Sequence, residues 1–260
     1  TPDEIGGLNT KIMEDKLNYL FGMHPVMEAV RAGKNIDKVM LKQGLDSPQF
    51  RDLMELLKEK GVQAQFVPAE RLNKICKGNH QGVIALFSKI DYTPFEEMVD
   101  LALMQSSAPV FVMLDGVSDV RNLGAIARTA ECAGASGIIV PAKGGAAITS
   151  EGIKASAGAL LRINVAKTQN LRLPAMYLKE QGFQIVGATE KSDKDIYGVD
   201  FTKPTAIVMG SEGKGISDSM LALCDDKAKI PMAGEISSLN VSVATAVCLY
   251  EAVRQRGGKL

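Results

Sequence analysis

Polar residues that could bind a ligand lie at the start of the apolar carboxyl-terminal segment. Ser237, Ser238 and Asn240 come just where a run with almost no polar face begins, and that run extends from Leu239 to Val253. Free backbone N–H groups and the positive end of the helix dipole favour polar ligands at such a helix start. Ser and Asn are also ordinary helix caps. This segment alone leaves a ligand site and a simple cap equally open.

Two further loops carry polar side chains directly after predicted strands. Val110–Leu114 leads into a loop and helix that contain Asn122 and Arg128, and Ala206–Met209 leads into a glycine-rich loop with Glu212. In open parallel sheets, ligands gather outside the carboxyl ends of the strands. Since the polar segment described above follows a third predicted strand, we expect the three loops to meet at one edge of the sheet.

Common nucleotide-binding motifs do not explain these loops. A P-loop needs Gly-x4-Gly-Lys-Ser/Thr, but Gly215 is followed by Ile216. The loop after Leu114 has only isolated glycines, not the dinucleotide fingerprint Gly-x-Gly-x-x-Gly. A nicotinamide-dependent enzyme is therefore disfavoured. The less favoured alternative is that Gly213 and Gly215 are plain turn glycines.

Composition excludes several other classes. The 260 residues are 46% hydrophobic and 23% charged, as in an ordinary globular protein, and no apolar run reaches the roughly 18–20 residues of a membrane span. Four scattered cysteines without a CxxC pair, with only two histidines, argue against a metal site or disulfides and favour a reducing cytoplasm. The net charge is zero, so RNA binding would depend on local basic patches.

The pattern divides the chain into a leader over 1–16, a small α/β domain over 17–90, a linker over 91–108 and a second α/β domain over 109–260. Continuous apolar strands alternating with helices predict a parallel sheet covered on both faces in the second domain. The predicted helices are 27–32, 48–60, 69–76, 95–105, 123–133 and 171–181, and the predicted strands are 38–42, 63–67, 82–87, 110–114, 137–140, 183–187, 206–210 and 228–231.

Together the three loops resemble the SpoU (TrmH-like) branch of the SPOUT RNA methyltransferases over residues 106–256. The first motif is Asn122…Arg128 with Leu-Gly between, the second runs from Val208 to Gly215, and the third is Ile230-Pro-Met…Ser-Leu-Asn-Val-Ser-Val-Ala244. Residues 20–90, with Phe-Gly-Met-His at 21–24 and His-Gln-Gly-Val at 80–83, resemble the family's RNA-binding domain, which is related to kink-turn-binding ribosomal proteins.

The resemblance implies a trefoil-knotted fold, one of the rare exceptions to unthreaded chains, a homodimer, and S-adenosylmethionine as cofactor. It implies 2′-O-methylation of a ribose, in particular of a guanosine in large-subunit (23S) rRNA. The alternatives are a tRNA 2′-O-methyltransferase and a non-catalytic RNA-binding or ribosome-assembly factor. Matched by position, the cofactor would be held by Gly210, Ile230, Met232 and Leu239, and the catalytic positions would be Asn122, Arg128, Glu212, Ser238 and Asn240.

Methyl transfer to a ribose 2′-OH requires an oxygen nucleophile aligned with the sulfonium methyl. The family assigns activation to Arg128, but a guanidinium has a pKa above about 12 and is a poor base. Arg128 is better suited to stabilising the developing alkoxide and gripping a phosphate, with Glu212 positioning Arg128 or a substrate hydroxyl. The alternative for Arg128 is a surface ion pair with Glu131. The loop over 142–149, often basic in the family, keeps only Lys143 as a charge.

Overall fold

Two structural units make up the chain, residues 1–89 and 90–260, and each has its own sheet. The computed structural model describes residues 19–258 and 260, so the predicted leader over 1–16 lies outside the described residues. None of the helices within that described part is long and apolar enough to cross a membrane.

The first unit is a four-stranded mixed sheet with helices packed on it. Its elements are β1 (Tyr19–Phe21), α1 (Met23–Arg31), β2 (Ile36–Lys42), α2 (Pro48–Glu59), β3 (Gln63–Val67), α3 (Ala69–Ile75) and β4 (Val83–Phe87). The strand order is β1-β4-β2-β3; only β2 and β3 pair in parallel. Helix α2 begins at Ser47, whose Oγ accepts the Phe50 N–H at 3.1 Å, and it buries Leu53 and Leu57 against the sheet.

The two motifs of the first unit lie together in space. The Gln81 side-chain oxygen accepts the N–H of Met23, the first residue of α1, at 3.2 Å. The Gly82 N–H donates to Nδ1 of His80 at 3.0 Å, while the other ring nitrogen of His80 lies 2.8 Å from Oδ1 of Asn73. Since Nδ1 accepts, Nε2 carries the proton and donates to Asn73. Side-chain hydrogen bonds therefore connect the turn before β4 to α1 and to α3.

The second unit is built on six parallel strands. Its elements are α4 (Phe95–Gln105), β5 (Val110–Asp115), α5 (Val120–Ala133), β6 (Gly137–Pro141), α6 (Ser150–Ala155), β7 (Val165–Thr168), α7 (Arg172–Glu180), β8 (Gln184–Ala188), β9 (Thr205–Gly210), α8 (Asp218–Leu221), β10 (Asp226–Ala228) and α9 (Val241–Gln255). The strand order is β10-β8-β9-β5-β6-β7. The predicted α/β class with a parallel sheet is confirmed.

Apolar cores cover both faces of this sheet, because successive side chains of a strand point to opposite sides. On β5, Val112 and Leu114 face a core built with α5 and α9, whereas Phe111 and Met113 face a core built with α4 and α7. This double coverage explains why the central strands are apolar throughout rather than alternating.

Three differences from the sequence expectations have local causes. Helix 95–105 was expected within a linker, but its residues Met98 and Val99 are fully buried in the second core, so this segment is packed into the second unit. Strand β7 was not predicted, since Val165–Thr168 has only two apolar residues before its polar end. The last strand ends at Ala228 rather than at 231, because the Lys229 N–H donates to the carbonyl of Lys194 instead.

Candidate active site

A cavity of about 560 Å³ opens at the carboxyl ends of β8, β9 and β10. This is the edge of the sheet at which parallel strands present ligand sites. Its walls come from the loops after these three strands and from the first turn of α9. The lining residues are Ala188, Thr189, Glu190, Met209, Gly210, Ser211, Glu212, Gly213, Gly215, Ala228, Ile230, Met232, Ser237, Ser238, Leu239, Asn240, Val241 and Ala244.

The loop after β5 places Asn122 beside this cavity. Asp119 caps α5: its Oδ1 accepts the N–H of Arg121 at 2.8 Å and that of Asn122 at 2.9 Å. Half a turn further on, Gly124 meets α6 so closely that an added Cβ would lie 2.7 Å from the Gly152 oxygen. The cap and the close helix contact together fix the first turn of α5, and with it Asn122.

The loop after β9 is a tight turn that carries Glu212. Ser211 and Gly215 exchange two backbone hydrogen bonds, of 3.0 and 2.9 Å. Gly213 and Gly215 have φ values of 86° and 70°, so both occupy turn conformations that favour glycine, and both also line the cavity. Glycine is needed at position 210 for a different reason, namely space: an added Cβ would lie 2.1 Å from the carbonyl carbon of Gly215.

Three of the sequence-predicted polar residues meet in one hydrogen-bonded cluster. The side-chain amide of Asn122 donates to Oε1 of Glu212 at 3.0 Å. The amide of Asn240 donates to the same oxygen at 2.8 Å and to Oδ1 of Asn122 at 3.0 Å. These residues are separated by 90, 28 and 118 positions in the chain. The cluster therefore joins the loops after β5, β9 and β10, as the strand-end argument predicted.

Asn240 is a helix cap and a member of this cluster at the same time. Its Oδ1 accepts the N–H of Ser242 at 2.9 Å, which satisfies a free donor at the start of α9. Its amide nitrogen donates hydrogen bonds to the side chains of Asn122 and Glu212. The cap interpretation therefore holds for the side-chain oxygen of Asn240, while its nitrogen belongs to the cluster beside the cavity.

Ser238 and Arg128 lie outside the cluster. Ser238 lines the cavity as an exposed residue, and its hydroxyl bonds no described residue. Arg128 is exposed on α5, six residues and therefore about 9 Å along the helix axis from Asn122. Among the residues that the structure describes, Arg128 pairs with neither Glu131 nor Glu212. Its guanidinium is left available for a ligand from outside the chain.

The four residues predicted to hold a cofactor all line the same cavity. Gly210 lies at the end of β9, and the other three lie on the segment between β10 and α9, namely Ile230, Met232 and Leu239. The side chains of Met232 and Leu239 are 36% and 39% exposed, so apolar surface faces the opening. A ligand with a flat apolar part would cover that surface.

Sequence reasoning missed the wall formed by Ala188, Thr189 and Glu190 after β8. The strand itself was predicted, and the same strand-end rule that identified the other loops would have found this one. Among the described lining residues, Glu190 and Glu212 carry charge and no Lys, Arg or His is present. The cavity is consequently acidic and suits a ligand with positive charge.

This fold and site define a class of α/β enzymes that bind a ligand at sheet-end loops, and comparison with known proteins gives the family. The model of the SpoU rRNA Methylase family matches residues 109–250, and the model described as RNA 2′-O ribose methyltransferase substrate binding matches residues 19–93. The chain belongs to the SpoU methylase family and is an S-adenosylmethionine-dependent RNA methyltransferase.

Individual relatives resemble this chain to different extents. A Bacillus subtilis (strain 168) protein assigned to the TrmH family of tRNA/rRNA methyltransferases is 34% identical over 244 residues, which cover 94% of this chain and 98% of that protein. The AdoMet-bound rRNA methyltransferase of Sinorhizobium meliloti is 28% identical with a TM-score of 0.57, covering 97% of this chain and 93% of its own. The A. aeolicus TrmH/SpoU tRNA modifying enzyme is 32% identical with a TM-score of 0.54, covering 62% and 83%.

The cavity fits S-adenosylmethionine. Its volume lies within the usual range of small-molecule sites, about 300–1,000 Å³. The apolar surfaces of Met232 and Leu239 suit the adenine, and the acidic lining suits the sulfonium and ammonium charges. When bound, the cofactor supplies an electrophilic methyl group. Among the residues that the structure describes, no group of three or more His, Cys, Asp or Glu is placed to hold a metal ion.

Proposed function

We propose that this chain methylates the 2′-hydroxyl of a ribose, and specifically of a guanosine in large-subunit (23S) rRNA. The observation that carries the proposal is the Asn122–Glu212–Asn240 cluster beside the acidic cavity. It gathers amide and carboxylate groups, which bind hydroxyls and base edges, next to the residues predicted to hold the cofactor. Two amides and one carboxylate at that place can both donate to and accept from the hydroxyls of a nucleoside.

In this proposal the cluster orients the nucleophile. Both amides donate to Oε1 of Glu212, while Oε2 bonds no described residue and is available to accept the hydrogen of a 2′-OH. Fixed donors and acceptors lower the barrier because alignment is established before the reaction. Ser238 adds a further hydroxyl on the cavity wall. Arg128, exposed and without a partner in the described chain, grips a phosphate of the RNA and stabilises negative charge on the reacting oxygen.

The choice of rRNA over tRNA is supported by the extent of similarity. The rRNA methyltransferase from Sinorhizobium meliloti matches 97% of this chain, including the first unit, whereas the A. aeolicus tRNA modifying enzyme matches 62%. A first unit that tethers the enzyme to a large folded RNA is consistent with its match to the substrate-binding model. The proposed relation of this unit to kink-turn-binding ribosomal proteins belongs to the same hypothesis. A tRNA substrate is the second candidate, because the Bacillus subtilis relative is assigned to a family covering both.

We include a homodimer and a trefoil knot in the proposal. Val243 and Tyr250 lie on one side of α9 and are 48% and 51% exposed, and Ile236 just before the helix is 79% exposed. A second copy of the chain would cover this apolar surface, which adjoins the site. The knot is included because the resemblance to the SpoU family implies it and the family model matches residues 109–250.

The test of the proposed function uses purified protein and loss of methylation. Arg128→Ala should abolish transfer to RNA while leaving the affinity for S-adenosylmethionine within a few-fold, since Arg128 does not line the cavity. Arg128→Lys should also be severely impaired, because an ammonium cannot grip a phosphate bidentately. The matched control is Arg172→Ala, an exposed arginine at the start of α7. Normal turnover by Arg128→Ala would refute the assigned role.

Substrate identity is tested by mapping 2′-O-methyl groups on total RNA from a strain that lacks the gene. We expect one guanosine of 23S rRNA to lose its methyl group and to regain it when the gene is restored. Loss at a tRNA position would establish the second candidate instead. An unchanged methylation pattern together with intact RNA binding would favour a non-catalytic ribosome-assembly factor.

A further inference from the structure

Among the described residues that line the cavity, Glu190 is the one charged residue outside the Asn122–Glu212–Asn240 cluster. Among the residues that the structure describes, Glu190 has no hydrogen-bond or ion-pair partner and is exposed. Glu212, by contrast, is held by two amides. A carboxylate that faces a ligand cavity without a protein partner has its acceptor oxygens free for the ligand.

The backbone around Glu190 is held in place from both sides. Thr189 is buried, and its N–H donates to the carbonyl of Ala228 in β10 at 2.9 Å. The Thr189 hydroxyl accepts the N–H of Lys191 at 3.3 Å, and its carbonyl accepts the N–H of Ser192 at 3.4 Å. Glu190 is therefore the second residue of a hydrogen-bonded turn anchored to the sheet. This arrangement directs one carboxylate from a fixed position rather than from a mobile loop.

The order of the strands decides which part of the cofactor Glu190 would meet. Glu212 follows β9 and is bonded to Asn122 after β5, whereas Glu190 follows β8, one strand further from β5. Neighbouring strands lie about 4.8 Å apart. With the methyl group at the Asn122–Glu212–Asn240 cluster, two larger substituents of the sulfonium remain, and of these the nucleoside carries the vicinal diol that a carboxylate on the β8 side can bind. The ribose is attached directly to the sulfonium through its 5′ carbon and is thus the part of the nucleoside nearest to it.

We propose that Glu190 binds the 2′- and 3′-hydroxyls of the cofactor ribose. An ionised carboxylate accepts two hydrogen bonds from a vicinal diol, and an acidic residue after a strand recognises a ribose in this way in dinucleotide-binding folds. The proposal rests on the proposed placement of the reaction beside Glu212. It gives the acidic wall a specific task, namely selection of a ribonucleoside cofactor.

The experiment is a binding cycle with 5′-methylthioadenosine, a neutral ligand that keeps the ribose diol but lacks the amino acid part, and its 3′-deoxy analogue. Calorimetry measures both ligands and S-adenosylmethionine on the full chain and on Glu190→Ala. Hydrogen bonds to a charged group are worth roughly tenfold or more in affinity. We expect the wild-type protein to prefer 5′-methylthioadenosine over its 3′-deoxy analogue by about that factor. We expect Glu190→Ala to lose this preference.

Asp193→Ala is the matched control, because Asp193 is an exposed carboxylate three residues further along, it does not line the cavity and it bonds no described residue. It should leave all affinities unchanged. Thermal unfolding of both variants should match the wild type, since neither side chain holds another part of the fold. If Glu190→Ala weakens S-adenosylmethionine but not 5′-methylthioadenosine, the carboxylate serves the positive charges and the ribose assignment is wrong. Unchanged binding of every ligand would also overturn it, whereas RNA methylation by the same variant would leave the proposed function intact.

Discussion

Substitution of Gly210 by Ala tests how the cavity wall after β9 is built. An added Cβ would lie 2.1 Å from the carbonyl carbon of Gly215, 2.2 Å from the nitrogen of Ile216 and 2.5 Å from the Gly215 oxygen. All three atoms belong to backbone, so no side chain can rotate away to relieve the contact. Ordinary van der Waals contact begins at 3.4 Å, and the two segments would have to separate by about 1.3 Å, the difference between 3.4 and 2.1 Å.

This separation has a calculable consequence. The hydrogen bonds between Ser211 and Gly215 measure 3.0 and 2.9 Å, so a movement of that size would break both. Each contributes about 1 kcal/mol, and overpacking in a well-packed region costs about 1–3 kcal/mol. Because the turn lies at the surface and can partly yield, we expect the free energy of unfolding to fall by about 2–4 kcal/mol. Glu212, carried by this turn, would move away from Asn122 and Asn240.

The assay combines urea unfolding with calorimetric titration of S-adenosylmethionine. We expect a lower unfolding midpoint for Gly210→Ala and at least a tenfold loss of affinity, since Gly210 lines the cavity. Gly234→Ala is the matched control, because a Cβ there meets no atom within 4 Å and its φ is not positive. If Gly210→Ala matched the control in both measurements, the close approach of the two segments would not be what shapes the cavity.

Two other predictions concern the helix that follows the site. Asn240→Ala should lower the free energy of unfolding by about 1 kcal/mol, because the helix cap is lost. It should also reduce the rate of methylation far more strongly than the affinity for the cofactor, as single-turnover kinetics can show. Equal losses of rate and of cofactor affinity would contradict the place of Asn240 in the cluster. Burial raises the pKa of Cys248 to about 12 from an ordinary value of 9.0. An unfolded chain therefore releases this proton first as pH rises, and stability should fall above about pH 9 by up to about 1.4 kcal/mol per unit. Cys248→Ala should show a flatter pH dependence in urea melts, and at pH 8 a thiol reagent should label the exposed Cys132 but not Cys248 in the folded protein.

The sequence was sufficient for the elements of the fold wherever an apolar pattern was long and bounded by turn residues. Strand β3 occurs as predicted, and α2 ends one residue before its predicted end, where Ser47 and Gly61 mark the boundaries. The same reasoning overlooked β7, because its short pattern carries too little apolar signal. It assigned 95–105 to a linker because Asp-Tyr-Thr-Pro and Ser-Ser-Ala-Pro segments flank an acidic helix, although Met98 of that helix is buried. Burial of one side of a helix depends on what packs there, and a single sequence does not show that.

Some features of the candidate site could likewise be predicted from the sequence, and others could not. The residue types and the strand-end positions of Asn122, Glu212 and Asn240 could be read from the sequence, and so could the expectation that their loops meet. The pairing of one Glu212 oxygen with two amides could not, because it depends on side chains up to 118 residues apart being brought within 3.0 Å. The strand-end rule could have indicated the loop of Glu190, but that this carboxylate lacks a partner among the described residues became visible only in three dimensions.

The sequence by itself determined the class of fold, the loops that carry polar groups and the family resemblance, because each of these is a local pattern or a spacing within one stretch of chain. The tertiary structure alone decided which of the polar groups form hydrogen bonds with one another and which remain free for a ligand. Distances between side chains depend on how strands are ordered in the sheet, and β8, β9 and β5 are neighbours in space although they are not consecutive in the chain.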